Sequence, residues 1–175
     1  AKSDAAPRAD VARVEAAVHR INPHAQRLRG GSPVTLDDAA AVRGRRVIVV
    51  EDGPTTTHGG MAHGAGYAAA LRAGAEIVDP RGCAAPAIAP LYAQYPQLGP
   101  VLPAMGYSEA ERSALAATIE ASGAEFVVSG TPHDLARLLG LRRAVLRARY
   151  EFAEVETPGL WGEVEAFLGR AGLAA

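Results

Sequence analysis

The sequence predicts an α/β fold, a mainly parallel, Rossmann-like sheet of about five strands with helices on both faces. Three observations predict it. From Arg46 onward, apolar runs too short for helices alternate with Ala- and Leu-rich stretches of helical spacing. Each short run gives way at once to a polar or Gly-rich segment, the position where open α/β sheets hold their ligands. Gly74, Gly123 and Gly140 stand where helix C-termini favour a left-handed residue.

Taken in order, Val11, Val14, Val18 and Ile21 recur at helical spacing after Asp10, and Asn22-Pro23 ends the run, so residues 10–21 predict an amphipathic helix. Gly30, Gly31, Ser32 and Pro33 form a loop, and the composition changes near residue 35. A boundary there separates residues 1–35, a linker or the edge of another domain, from residues 36–175, an α/β ligand-binding domain. Strands are expected at 47–50, 76–79, 101–102, 125–129 and 144–149, and helices at 65–73, 84–94, 109–122, 132–139 and 159–169. Ser108 with Glu111 three places on is a capping box, while Thr131, Pro132 and Asp134 supply a cap, a first-turn proline and a first-turn acid.

Composition bounds the function. A chain of 175 residues, 49% apolar and 21% charged, has the length of one domain and none of the signature of disorder. Eighteen basic residues against nineteen acidic ones leave a net charge of −1, which argues against a nucleic acid or an anionic membrane as a partner held by bulk charge. Lys2 is the only lysine, and the arginine and alanine excess suggests a GC-rich bacterial genome. Cys83 is the only cysteine, so no intrachain disulfide or cysteine-rich zinc site can form, and a reducing cytoplasm fits best. No apolar run reaches the roughly 18 residues of a membrane span. The first methionine is Met61, which fits a piece of a longer protein.

The richest candidate site is the segment 51–60, Glu-Asp-Gly-Pro-Thr-Thr-Thr-His-Gly-Gly, continued by His63. Glycines let backbone N–H groups converge, and a following helix start adds partial positive charge, so Thr55, Thr57, Gly59 and Gly60 form a candidate anion cradle. The alternative is an ordered turn with glycines at positive φ. His58, with Asp52, is the candidate for general acid–base work, and His63 for phosphate contact. The five-residue spacing of the two histidines matches no standard metal helix, and no metal is assigned. His133, at a helix start, is a further candidate contact. Arg147 and Arg149 share one face of the last strand, as a bidentate phosphate or carboxylate clamp or as half of a salt-bridged edge. Arg81, after Asp79-Pro80, is similar but weaker, and Cys83 reads as a small buried residue.

Three segments carry a family resemblance: Val49 to Met61, Gly99-Pro-Val-Leu-Pro-Ala-Met-Gly-Tyr107, and Gly130-Thr-Pro-His-Asp-Leu135. They resemble the predicted GTPase family that includes cyclic 2,3-diphosphoglycerate synthetase, over nearly the whole chain. The resemblance implies a P-loop nucleotide domain upstream, with residues 1–35 as its C-terminal edge. Ala1-Lys2-Ser3-Asp4 resembles the Asn-Lys-x-Asp base-recognition element, with Ala1 in place of Asn, which makes Lys2 and Asp4 candidate nucleotide-base contacts. It further implies ATP or GTP with Mg2+, bound mainly by the upstream domain, and a small phosphorylated acid closed into a phosphoanhydride. No Gly-x-x-x-x-Gly-Lys-Ser/Thr element is present, so the isolated chain is expected to hydrolyse no nucleotide. A non-catalytic effector-sensing or interaction domain of a GTPase is the alternative, and a homo-oligomer is compatible with either.

Overall fold

A computed structural model describes residues 2–106 and 108–173. Ala1 and Tyr107, which belong to two of the motifs above, lie outside the described residues. The chain divides into a central unit, Val34–Arg149, and a flanking unit made of the residues up to Pro33 and those from Tyr150 onward. Residues from Tyr150 thus group with the N-terminal segment.

The central unit is the α/β fold. Its elements are β2 (Val34–Leu36), β3 (Arg46–Asp52), α2 (Gly53–Thr57), α3 (Ala65–Arg72), β4 (Glu76–Ile77), α4 (Ala89–Gln94), β5 (Leu102–Ala104), α5 (Glu109–Ala121), β6 (Phe126–Gly130), α6 (Leu135–Leu139) and β7 (Val145–Tyr150). The sheet runs β2-β7-β6-β3-β4, and β5 also pairs with β3. β3 lies parallel to β6 along Val47–Glu51 and takes two short partners on its other edge. Arg46 and Val47 pair with β4, whereas Val50 to Asp52 pair with β5. β6 in turn lies parallel to β7, with Ser129 opposite Arg147.

Alternation along β3 builds two cores. Ile48 and Val50 pack with Ile88, Leu102, Leu115, Ile119 and Leu135 on the face of α5 and α6. Val47 and Val49 pack with Val42, Ala70, Leu98 and Val101 on the face of α3. Five consecutive buried residues in one strand require a sheet covered on both sides. The glycine expectation holds at Gly74, Gly123 and Gly140, whose φ values are 75°, 62° and 60°, and the Ser108–Glu111 capping box is formed.

Two helices are shorter than expected. The stretch 84–94 is helical only from Ala89, because Pro90 lacks an N–H and fits the first turn of a helix but not the interior of one begun at 84. The stretch 132–139 begins at Leu135, with the Asp134 carboxylate accepting the Arg137 N–H. Thr131 is no helix cap, since its hydroxyl accepts the His133 N–H in a local turn instead.

The flanking unit contains α1 (Arg8–Ile21), β1 (Gly30–Gly31), β8 (Ala153–Glu154) and α7 (Leu160–Arg170), with β1 and β8 antiparallel. Gly30 is required at its position because a Cβ there would run into the Phe152 ring. Neither helix carries a buried residue.

Candidate functional site

The carboxyl edge of the parallel sheet is dominated by Glu51, which is only 1% exposed. Its Oε1 accepts the N–H groups of Gly64 at 3.0 Å and Tyr67 at 2.7 Å, and its Oε2 accepts that of Gly66 at 3.4 Å. These donors belong to the first turn of α3, where unsatisfied amides and the helix dipole favour an anion. Burial nevertheless pushes the Glu51 carboxyl above its ordinary range, outweighing the three amides and the neighbouring His63 that hold it down. Glycines make the space: a Cβ on Gly64 would sit 2.6 Å from Oε2, and one on Gly130 would collide with the same oxygen. The anion at this helix start is therefore a carboxylate of the chain itself.

That arrangement changes the roles within the 51–60 segment. α2 begins directly after Asp52, whose Oδ2 accepts the Thr55 hydroxyl at 3.2 Å. The buried Thr57 hydroxyl donates to the Gly53 carbonyl at 2.8 Å and lies 3.1 Å from Nδ1 of His58. Thr55 and Thr57 thus have intramolecular partners and do not converge on one external point. Gly59 closes tightly on α2, where a Cβ would strike the Thr55 carbonyl, and Gly60 has φ 62°. His58, Gly59, Gly60 and His63 are all exposed. The His63 ring stacks on Tyr67 with centroids 4.4 Å apart. Among the described residues no group of three or more His, Cys, Asp or Glu side chains is placed to hold a metal.

The arginines separate. Arg147 donates to the Pro132 carbonyl in the loop after β6, so it stays at the carboxyl edge. Arg149 forms a two-pronged pair with Asp37 at 2.6 and 3.2 Å, which lowers the Asp37 carboxyl and ties β7 to the end of β2. The two guanidinium groups therefore face different partners and form no joint clamp. Arg81 binds both Asp79 oxygens and the Leu98 carbonyl, and its guanidinium lies 5.0 Å from the Tyr92 ring centre. Cys83 is half-buried, with its thiol pushed up by burial. In the flanking unit, Asp4 accepts the Ser32 N–H at 2.8 Å, and Lys2 is exposed with φ 62°.

His133 has neighbours that the sequence reading passed over. A cleft of about 310 Å³ is lined by Arg112, His133, Asp134, Arg137 and Leu138. Arg112 lies in the first turns of α5, four residues after its Ser108 cap, and Arg137 lies in α6, three after its Asp134 cap. An arginine in the first turns after each of two caps is the signal that was available, and an arginine on a helix surface is ordinarily a solvated charge.

In open parallel α/β sheets, the polar residues beyond the strand ends are where small ligands are ordinarily held. The chain is similar to arginine synthetase ArcE of Thermococcus kodakarensis, at 44% identity over 160 residues. The match covers 91% of this chain and 36% of that protein, so the chain spans about a third of the length of the curated relative it matches. No family model matches the chain. No solved structure matches it either. Among the described residues no helix is long and apolar enough to cross a membrane.

Proposed function

We propose that this chain is the ligand-holding part of a nucleotide-dependent synthetase. In this reading the central unit holds a small acid at the carboxyl edge of its sheet, and a P-loop domain elsewhere in a longer protein supplies ATP or GTP with Mg2+. The observation that carries it is the 44% identity, over 91% of the chain, with a protein named a synthetase. That name favours arginine, a carboxylate-bearing amino acid, as the product over the bisphosphorylated three-carbon acid of the wider resemblance. A cytoplasmic setting belongs to the same reading and rests on the single cysteine.

The chain's own residues do not fit a nucleotide triphosphate. There is no Walker sequence, the only lysine is Lys2, and no metal-holding group exists among the described residues. What they offer is binding and proton handling. His58 is exposed at the sheet edge with Nδ1 beside the Thr57 hydroxyl, which leaves Nε2 for proton transfer. Thr55 sits about one helical turn before it and Asp52 stands at the N-cap of the same short helix, while Arg147 contributes positive charge from the far side of β6. The flanking unit supports the two-part reading. Leu160, Trp161, Val164 and Phe167 form an exposed apolar face on α7, and the upstream domain is its proposed cover.

The test uses the longer protein that carries this chain, supplied with arginine, nucleoside diphosphate, phosphate and Mg2+. Triphosphate formed in the reverse direction only when arginine is present supports the reading. His58→Ala should then lower the rate at least tenfold, within the range expected for a lost general acid or base. Arginine binding with no turnover in either direction overturns it in favour of effector sensing.

A further inference from the structure

We propose that the cleft between α5 and α6 is an oxyanion site, in which Arg112 and Arg137 grip a carboxylate or phosphoryl group of a small ligand. The two helices pack side by side, each begins at the carboxyl edge of the sheet, and each contributes one arginine from its first turns. Arg112 is half-buried and Arg137 exposed, and among the described residues neither guanidinium has a protein partner. This differs from the arginines around them. Arg143 is tied to Glu120, Arg147 to Pro132 and Arg149 to Asp37.

The charges within the cleft favour an anion. Among the described residues Asp134 is the one acid in its wall, and one of its oxygens already accepts the Arg137 N–H as the helix cap. Glu111, the acid preceding Arg112, is turned back onto the Ser108 N–H and hydroxyl, where those bonds hold its carboxyl below the usual range. The wall therefore presents two guanidinium groups against a single, partly engaged carboxylate. Leu138 supplies an apolar side, which lowers the local polarity and strengthens a charge-assisted contact. Two planar forks facing one space are suited to a group with two or three oxygens. About 310 Å³ admits such a group together with a small carbon skeleton.

The inference deepens the synthetase reading by assigning the substrate's anionic end to this cleft, yet it can be tested without turnover. The probes are inorganic phosphate and acetate, titrated separately into the protein labelled for observation of arginine side-chain N–H resonances. The expected result is saturable movement of the Arg112 and Arg137 signals with at least one probe, and phosphate against acetate distinguishes a phosphoryl from a carboxylate site. Arg112→Gln and Arg137→Gln should each weaken that binding by about tenfold, while Arg170→Gln on α7 should not. Titration of the folded variants, checked by their unchanged backbone spectra, excludes loss of structure as the cause. Binding that survives both substitutions and is lost instead with His58→Ala would overturn the cleft while leaving the synthetase reading intact. No arginine signal moving with either probe at millimolar concentration would overturn the inference outright.

Discussion

The two units of the chain solve the burial problem differently. In the central unit, β3 buries Val47 to Glu51 without interruption, and helices cover both faces of the sheet. In the flanking unit, α1 and α7 carry no fully buried residue, although α7 carries Leu160, Trp161, Val164 and Phe167. Trp161 is 66% and Phe167 59% exposed. An amphipathic helix normally spends its apolar stripe on a core. The difference teaches that one unit closes its own core, whereas the other holds an apolar face suited to further chain.

The largest expected effect lies in the closed core. Leu115→Ala should destabilise the central unit by about 2–5 kcal/mol, because a fully buried side chain leaves a cavity between α5 and the sheet. Denaturant unfolding followed by circular dichroism checks this. A loss typical of a surface site would mean that the central unit is not the closed body described.

Next comes the Glu51 cradle. Gly130→Ala should cost about 1–3 kcal/mol, since the new methyl group meets the Glu51 carboxylate and the Gly66 amide, both fixed by their own bonds. Glu51 also gives the central unit a signed pH dependence. Its carboxyl is raised in the folded state, so between the ordinary carboxylate range and that raised value the folded chain holds more proton than the unfolded one. The contribution is fully present below the ordinary range and is lost as pH rises through the raised value. Stability of the wild type relative to Glu51→Gln should therefore increase on acidification through that window. A pH-independent difference between the two would remove the buried carboxyl from the account.

The smallest effect belongs to the open face. Trp161→Ser should change the stability of this chain by no more than about 0.5 kcal/mol, as for an ordinary exposed position, while raising its solubility. In the longer protein proposed above the same change should be plainly destabilising. Equal effects in both would erase the contrast between the units.

Much of this was legible in the sequence, for physical reasons that differ by element. β3 and β6 announce themselves through buried β-branched runs, β7 through the short apolar start Val145-Leu146, and α5 through its capping box. The pairs β1 and β8 were not expected: each is two residues long, and its partner lies more than a hundred positions away. α2 hid inside a segment whose glycines and threonines favour turns, and its bonds run from hydroxyls back to its own backbone. At the site, spacing located His58, Asp52 and His133 near strand ends. It did not reveal that Glu51 fills the helix start, because that depends on glycines at 64, 66 and 130 meeting in space. Nor did it pair Arg112 with Arg137, which belong to different crossover helices.

The contrast between the units is tested most directly by amide hydrogen exchange, measured on this chain alone and within the longer protein proposed above. The account predicts that β3 and β6 amides exchange slowly and equally in both, while α7 amides exchange rapidly in the isolated chain and become strongly protected in the longer one. Slow exchange of α7 in the isolated chain, or no added protection in the longer protein, would contradict it.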